Sequence, residues 1–264
     1  MIRQPIRTAT RVTLFVAGFA VLGAGYAWLS HRAHAENPRN KTLPNATQFA
    51  EGWRRIATGG GGIDLAADAR ASATRLALGV GGGAALAFVV GLAMGCFPAV
   101  EAALLPPISF FAKIPPTAMM AVYLVFFGAT GVSIFVALIA FGIFPTLAQS
   151  IAEAAQKDVD DHTLSKSYTL GASSFEVVWE VVLRQILPRI IDATRLQIGP
   201  AMVFLIAAEF ALSDVGFGYT LRMQSRLQNM NVVYTYLAIL AVAGLLIDWA
   251  LLSLRRWLCP WFGD

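Results

Sequence analysis

From Ala152 to Pro188 the sequence reads AEAAQKDVDDHTLSKSYTLGASSFEVVWEVVLRQILP, a charged, helix-prone stretch between two apolar runs. Its second half carries large apolar side chains at helical spacing, which predicts one apolar helix face: Phe175, Val178, Trp179 and Val182. Glu180 can pair with Arg184 one turn later, and Gly171 allows the backbone to bend between two short helices. The pattern predicts a helix–turn–helix hairpin at a membrane surface. A solvated loop with a surface helix is the alternative.

On both sides of this hairpin the chain is strongly apolar. Of its 264 residues 57% are hydrophobic and 14% are charged, and its mean hydropathy is +0.63. A soluble domain carries about 25% charged residues, so this composition excludes a disordered chain and argues against a water-soluble enzyme. A membrane-spanning helix needs roughly 20 apolar residues. Six runs approach or exceed that length and predict six transmembrane helices: 12–29, 72–97, 101–127, 131–151, 186–212 and 232–254.

The predicted spans divide the chain into an N-terminal transmembrane helix, a polar segment, a core of five spans with the hairpin 152–188, and a tail: residues 1–30, 31–70, 71–256 and 257–264. The polar segment contains a short amphipathic pattern at Phe49, Trp53 and Ile56. Ala33-His34-Ala35 fits a signal-peptide cleavage site. The apolar run before it is longer than a usual signal core, so an uncleaved span is expected.

Several classes of chemistry are excluded by missing motifs. The second apolar run is rich in glycines, which let membrane helices approach closely: Gly79, Gly81, Gly82, Gly83, Gly91 and Gly95. They are not an ATP site, because no G-x-x-x-x-G-K-[ST] motif occurs anywhere in the sequence. Cys96 and Cys259 form no C-x-x-C pair, and the three histidines are too separated for a metal cluster. Catalytic and metal-binding residues are therefore expected to be absent.

The hairpin also resembles a known family. Val159-Asp160, Leu170-Gly171-Ala172-Ser173 and Leu187-Pro188 resemble the signature loop of ABC importer permeases, most closely in the nitrate, sulfonate and taurine branch. The resemblance extends over residues 43–256 through further matches in the same order: Leu43-Pro44, Ala71-Ser72-Ala73-Thr74-Arg75-Leu76, Lys113-Ile114-Pro115-Pro116, Phe127-Gly128, Arg195, Glu209, Gly216-Phe217-Gly218-Tyr219 and Asp248.

The signature itself departs from the family pattern. Its glutamate and two alanines fall on Ser165, Lys166 and Ser167, and the proline of I-x-L-P falls on Arg184. A literal Glu153-Ala154-Ala155 lies too far before Gly171 to be the signature. In the family the glutamate contacts the ATPase. Its absence here implies an altered ionic contact, with docking by shape through side chains such as Leu164.

The resemblance implies an all-α membrane protein with six transmembrane helices and the type I ABC importer permease fold. Such a chain is a transport subunit of the bacterial inner membrane, with both termini cytoplasmic, and not an enzyme. The implied partners are two ABC ATPase subunits, a second permease copy in a homodimer, a periplasmic substrate-binding protein and membrane lipid. No cofactor is expected on this chain, because ATP and magnesium belong to the partner ATPase. The scattered basic residues do not indicate nucleic-acid binding.

Two sets of site residues follow from this resemblance. The set expected to couple to the ATPase is Asp160, Leu164, Ser165, Lys166, Ser167, Tyr168, Gly171 and Ala172. The set expected to line the translocation path or act as a gate is Lys113, Pro115, Pro116, Met119, Tyr123, Arg195, Met202 and Glu209. Ionisable groups inside a membrane are costly and usually functional. The alternative is structural pairing, for instance of Arg195 with Asp192 or Glu209.

The substrate implied by the matched branch is a small anion of the nitrate, sulfonate or taurine type. A secondary transporter or channel is the alternative function, although the sequence has no repeated broken-helix pattern of the kind that secondary transporters show. A membrane-bound enzyme is a further alternative, but no G-x-S-x-G or H-E-x-x-H motif is present.

Overall fold

The computed structural model describes residues 8–37, 40–128 and 131–262. These residues form helices joined by turns, and no strand occurs among them. The α-helices are α1 (Thr8–Glu36), α2 (Ala46–Ala57), α3 (Leu65–Cys96), α4 (Pro98–Phe111), α5 (Met120–Phe127), α6 (Ser133–Lys157), α7 (Asp161–Thr169), α8 (Ser174–Glu176), α9 (Leu183–Leu212), α10 (Phe217–Arg226) and α11 (Met230–Leu258). A 3-10 turn, Pro116–Met119, precedes α5, and a π-helical turn, Val177–Val182, joins α8 to α9. Residues 1–7 of the predicted first helix and 263–264 of the predicted tail lie outside the described residues.

Five helical runs are long and apolar enough to cross a membrane: Ala9–Glu36, Leu65–Cys96, Ser133–Lys157, Ser174–Leu212 and Met230–Leu258. The third predicted span, 101–127, is broken. Its two halves, Pro98–Phe111 and Pro116–Phe127, meet at an angle of 83°. The break follows from Pro115 and Pro116, because proline has no backbone N–H for the helical ladder and its ring clashes with the preceding turn.

The chain forms two compact units, Met1–Asp64 with Met223–Leu237 and Leu65–Arg222 with Ala238–Asp264. In the first unit, α2 starts with a capping box in which Asn45 and Gln48 exchange hydrogen bonds of 2.9 and 3.0 Å. Gly52 of α2 lies so close to the carbonyl of Asn231 that a Cβ atom would be only 2.6 Å from it. The predicted amphipathic segment is therefore a helix held tightly against the start of α11.

The second unit is built on close packing of α3 against α6, with α9 beside them. A Cβ atom at any of four α3 glycines would lie under 3 Å from α6: Gly79, Gly83, Gly91 and Gly95. The other two predicted glycines, Gly81 and Gly82, have nothing within 4 Å. The glycines on one face of α3 thus allow α6 to approach its backbone closely, as small residues do between membrane helices.

Candidate translocation path and coupling hairpin

The hairpin is a well-capped turn between two helical segments. The Asp160 carboxylate caps α7 by accepting a hydrogen bond from the backbone N–H of His162 at 3.4 Å. Gly171 then adopts φ +86°, a left-handed conformation that glycine reaches without steric cost. Ser173 and Glu176 form a second capping box at the start of α8. Local sequence therefore determines the turn at both ends.

The tip of this hairpin presents apolar side chains to the surroundings. Leu170 is 88% exposed and Tyr168 is 51% exposed. Ser165 and Lys166 are also exposed, whereas the Ser167 hydroxyl donates to the Thr163 carbonyl at 2.8 Å. No ion pair of Lys166 is present in the described residues. Within the predicted coupling set, Ser165, Lys166 and Tyr168 thus face outward, and Lys166 gives them one positive charge.

Two predicted coupling residues face inward instead. Leu164 and Ala172 pack against a buried cluster that includes Val159 and Val177. Leu164 is therefore a support of the hairpin and not part of its exposed tip.

The predicted apolar face of the second helical segment is half right. Val178 and Val182 pack into the buried cluster as predicted, whereas Phe175 and Trp179 are exposed and stack on each other with ring centroids 6.3 Å apart. Val177, which was not predicted on this face, is buried. The reason is the π-helical turn, in which residues five apart share a face. The predicted pair of Glu180 and Arg184 is confirmed, with both side chains more than half exposed.

A cavity of about 760 Å³ lies within the second unit, where α4 and α5 break, against α6 and α9. Its walls are mostly apolar and aromatic, and no charged side chain is among its described lining residues. Three lining side chains carry hydrogen-bonding groups, Tyr123, Thr146 and Gln197. The Thr146 hydroxyl donates to the Ile143 carbonyl at 3.1 Å, and the Tyr123 phenol donates to the Met119 sulfur at 4.0 Å. The Gln197 amide therefore remains as the donor to a solute among these three lining side chains.

The predicted path residues divide around this cavity. Pro116, Met119 and Tyr123 line it, whereas Lys113 and Pro115 are exposed and lie outside the lining. Met202 points elsewhere, because its sulfur lies 3.3 Å from the Cβ position of Gly244 in α11. The break in the third span therefore forms a wall of the cavity, but the lysine next to the break does not.

Arg195 belongs to an ionic cluster between α9 and α11. Its Nε lies 2.9 Å from an oxygen of Asp248, and its Nη1 lies 3.7 Å from an oxygen of Asp192. Asp192 also pairs with Arg255 at 2.8 Å. Of the two predicted partners of Arg195, Asp192 is correct and Glu209 is wrong. The cluster joins two predicted spans and does not face the cavity.

Glu209 is fully buried in a separate hydrogen-bond network. Its carboxylate accepts hydrogen bonds from Arg75 Nη1, from the Ser72 hydroxyl and from the backbone N–H of Gly218, all at 2.8–2.9 Å. Arg75 also donates to the carbonyl of Val215 at 2.8 Å. The network fastens the segment after α9 to α3, and Glu209 lies outside the cavity lining.

Three further residues complete this network. The Asp68 carboxylate accepts from the backbone N–H of Gly216 at 2.8 Å and from the Thr220 hydroxyl at 2.6 Å. Gly216 has φ +121°, and a Cβ atom there would lie 2.6 Å from the Glu209 carboxylate. The sequence alone does not show that these residues lie together. Ser72, Arg75, Gly216 and Gly218 belong to the motifs Ala71–Leu76 and Gly216–Tyr219, whereas Asp68 and Thr220 belong to neither. Thr146 and Gln197 in the cavity had no motif to indicate them.

Comparison with known proteins identifies the family of this chain. Residues 83–261 match the model of the family described as binding-protein-dependent transport system inner membrane component. The chain belongs to this family. The match includes the hairpin, the cavity lining and Glu209, whereas the α3 partners of the Glu209 network, Asp68, Ser72 and Arg75, lie before it.

Two curated permeases are similar over most of the chain. The permease is 32% identical over 224 residues to the taurine transport system permease protein TauC of Escherichia coli (strain K12), covering 84% of this chain and 81% of that protein. It is 29% identical over 188 residues to the putative aliphatic sulfonates transport permease protein SsuC of Bacillus subtilis (strain 168), covering 71% and 67% respectively.

A solved structure shows the same fold. The MetNI methionine ABC transporter, in an inward-facing conformation, matches with a TM-score of 0.62 at 20% identity, over 73% of this chain and 96% of that chain. The predicted type I ABC importer permease fold is confirmed. The chain is a multi-pass inner-membrane permease of an ABC importer, and its family implies ATPase and binding-protein partners. The alternative of a secondary transporter or channel is set aside.

Proposed function

We propose that this permease conducts small sulfonate-type anions, with the hairpin 152–188 and both termini in the cytoplasm. Two ATPase subunits dock on the hairpins, bind ATP and magnesium, and perform the hydrolysis, since this chain has no ATP-binding motif. A second copy of the chain completes a path along a two-fold axis. The observation that carries this proposal is the exposed, well-capped apolar tip at Tyr168 and Leu170. On a polar hairpin, two exposed apolar side chains at the tip are available to be buried against another protein.

The altered signature changes the expected chemistry of docking. Where the family has a glutamate, this hairpin has Ser165, and Lys166 is the charged group beside it. The contact with the ATPase therefore depends on burial of Tyr168 and Leu170 and less on an ion pair. Apolar contacts are little affected by ionic strength, whereas exposed ion pairs are screened by salt. Assembly with the ATPase should accordingly tolerate high salt.

A continuous helical run connects the hairpin to the path. Ser174–Leu212 extends from the docking hairpin to the cavity, and α9 contributes Gln197, Pro200 and Phe204 to the cavity wall. A displacement of the hairpin when the ATPases close is thus transmitted along one element to the cavity. This provides a physical link by which ATP binding shifts the permease between two conformations.

The cavity suits transient passage of an anion better than tight binding. Desolvating an ionised group without compensation is costly, and the described cavity lining offers a solute a hydrogen bond from Gln197, and one from Tyr123 only in place of its contact with the Met119 sulfur, but no positive charge. Conduction requires binding weak enough for the solute to leave. The sulfonate class is supported by the taurine and aliphatic sulfonate permeases to which the chain is similar.

The docking proposal is tested by co-purification with the cognate ATPase. Leu170→Asp replaces the most exposed apolar side chain of the tip with a charge, and we expect at least a tenfold weaker association, about 1.4 kcal/mol or more. Leu227→Asp is the matched control, because it makes the same change at an exposed leucine between α10 and α11, outside the hairpin. Equal association of both variants with the ATPase would contradict the proposal.

The path proposal is tested by taurine uptake into proteoliposomes that contain the permease, the ATPase and the binding protein. Gln197→Leu removes a solute hydrogen bond in the cavity, and the loss of about 0.5–1.5 kcal/mol should reduce uptake roughly 2- to 10-fold. Gln149→Leu is the control, because Gln149 is another half-buried glutamine that contacts Ser109 at 3.4 Å and lies outside the cavity lining. Unchanged uptake by Gln197→Leu would exclude this contact.

A further inference from the structure

Charged side chains connect the C-terminal half of α11 to α9. Of the described residues, none in the most apolar stretch of α11 is buried, whereas α3 and α6 bury part of theirs. Two pairs of opposite charge join the helices within the second unit: Arg195 with Asp248 at 2.9 Å, and Asp192 with Arg255 at 2.8 Å. We call these four residues the α9–α11 charge cluster. Such a cluster is suited to control how the two helices sit together.

Within this cluster, Arg195 lies between two carboxylates. Its Nε is 2.9 Å from an oxygen of Asp248 but makes no hydrogen bond to a described residue, so this bridge is an ion pair without an aligned donor. Its Nη1 is 3.7 Å from Oδ1 of Asp192, one turn earlier on the same helix. That Oδ1 is buried and accepts no hydrogen bond from the described residues, while Oδ2 pairs with Arg255. A second acceptor for the guanidinium is therefore already in place, just outside hydrogen-bond distance.

The two carboxylates differ in their access to solvent. The Asp248 side chain is 49% exposed and the Asp192 side chain is 26% exposed. If Arg195 moves from Asp248 to Asp192, the carboxylate left behind is the one that water can reach. An exposed charge loses little when its partner leaves, whereas a buried one loses much more. Arg195 thus has two paired positions, as a two-state element requires.

The charge cluster is also connected to the base of the coupling hairpin. Arg255 and Arg189 both lie over the ring of Phe262, 5.7 and 6.0 Å from its centroid. Arg189 Nε pairs at 3.1 Å with Asp158, which directly follows α6 and precedes α7. Asp192 itself lies only about 14 Å along α9 from its first residue. A displacement of the hairpin therefore reaches the cluster over a short distance.

We infer that Arg195 is a two-position latch of the transport cycle. Bridged to Asp248 it holds α9 against α11, and exchange to Asp192 on its own helix releases α9 to follow the hairpin. This inference rests on the proposed function, in which the ATPases displace the hairpin. Arg195 is a positioning residue, because it does not line the cavity.

A permanent ion pair that only stabilises the fold is the competing explanation. An exchange of charges distinguishes the two. Arg195→Asp combined with Asp248→Arg keeps a bridge between the helices but places a second carboxylate one turn from Asp192, so the second position is lost. A permanent pair then predicts normal stability and normal activity, whereas the latch predicts normal stability and impaired activity.

The test measures ATP hydrolysis by the permease–ATPase complex in nanodiscs, with thermal unfolding in parallel. Asp248→Asn removes the bridge and should raise basal hydrolysis about fivefold, since loss of a half-exposed pair shifts a two-state equilibrium by about this factor. The charge-exchange variant should lower hydrolysis about fivefold, with its unfolding temperature within about 3 °C of wild type. Glu153→Gln is the matched control, because it removes a carboxylate from an exposed pair outside the cluster. Its hydrolysis should stay within about twofold of wild type.

A second variant keeps the test independent of how the charge-exchange variant folds. Asp192→Asn retains the Asp248 bridge, removes the charge of the second position and should also lower hydrolysis. Wild-type hydrolysis by the charge-exchange variant, or a rise in both asparagine variants, overturns the inference. A lower unfolding temperature of Asp248→Asn without faster hydrolysis assigns the cluster to stability alone and also overturns it. In these cases the proposed function stands, because the wild-type complex is active. A wild-type complex that hydrolyses no ATP overturns both proposals.

Discussion

Glu209 shows why an ionisable residue inside a membrane protein needs its partners identified before a role is assigned. It is completely buried, and its carboxylate is surrounded by donors from α3 and from the segment after α9. The Arg75 guanidinium lies 4.1 Å from the ring centroid of Phe135, which adds a cation–π contact. The arrangement holds a turn in place at the end of α9. Its role is structural support of the path, and a role in contacting solute is not indicated by its position.

Loss of Arg75 should therefore destabilise the permease strongly. Arg75→Met leaves the Glu209 carboxylate buried without its counter-charge, which costs about 3–5 kcal/mol. Arg184→Met removes an exposed pair one turn apart and should cost about 0.3–0.5 kcal/mol. Thermal unfolding of both variants in the same detergent measures the difference. Similar unfolding temperatures for the two variants would show that the Glu209 network does not support the fold.

The same residue marks the limit of what the sequence alone predicts at this scale. Hydropathy identifies Glu209 as a charge in an apolar span, but its partners Ser72 and Arg75 are far away in sequence and belong to another predicted helix. Periodicity contains no information on such distant pairs. Order and spacing of family-like motifs did place Arg75 and Glu209 among the notable residues. The contact between them required the three-dimensional structure.

Among the elements, α3 and α6 show how composition determines packing. Gly91 lies where a Cβ atom would be 2.6 Å from the carbonyl oxygen of Ala148, so α6 approaches the backbone of α3 directly. Gly82 on the same helix has nothing within 4 Å. Both glycines look alike in the sequence, because their environments depend on which face of α3 meets α6.

This difference predicts opposite outcomes for the same substitution. Gly91→Ala forces the helices apart or strains α6 and should cost about 1–3 kcal/mol. Gly82→Ala adds a methyl group in open space and should leave stability unchanged or raise it, because alanine is the better helix former. Thermal unfolding of the purified permease distinguishes the two. A tolerant Gly91→Ala variant would mean that α3 and α6 are less closely packed than the structure shows.

The positions of most helices could be predicted because their sequence patterns are long and clear. Long apolar runs predicted the spans, and the paired prolines account for the break that bends the third span by 83°. The π-helical turn at Val177–Val182 was not predictable in this way. Its wider i→i+5 turn changes which side chains share a face, but the composition and hydropathy of the segment give no sign of it. The exposed pair Phe175 and Trp179 is the consequence.

On the scale of the whole molecule, the orientation in the membrane decides every functional assignment. The lysine and arginine residues between the spans are divided almost evenly, so the positive-inside rule gives no answer here. The proposed orientation rests instead on the hairpin as the ATPase contact. Ser174–Leu212 then starts in the cytoplasm and ends outside. The 30 residues of α9 alone are about 45 Å long, enough to cross the bilayer.

Labelling of single cysteines tests this orientation directly. In a background with Cys96 and Cys259 replaced by alanine, Asp214→Cys lies after α9 at an exposed position and Leu170→Cys lies at the hairpin tip. A membrane-impermeant maleimide should label residue 214 in intact spheroplasts and residue 170 only after the membrane is opened, because ions do not cross the apolar bilayer. Labelling of both after lysis shows that each thiol is reactive. The reverse order would place the hairpin outside, where no ATPase can reach it, and would refute the proposed coupling.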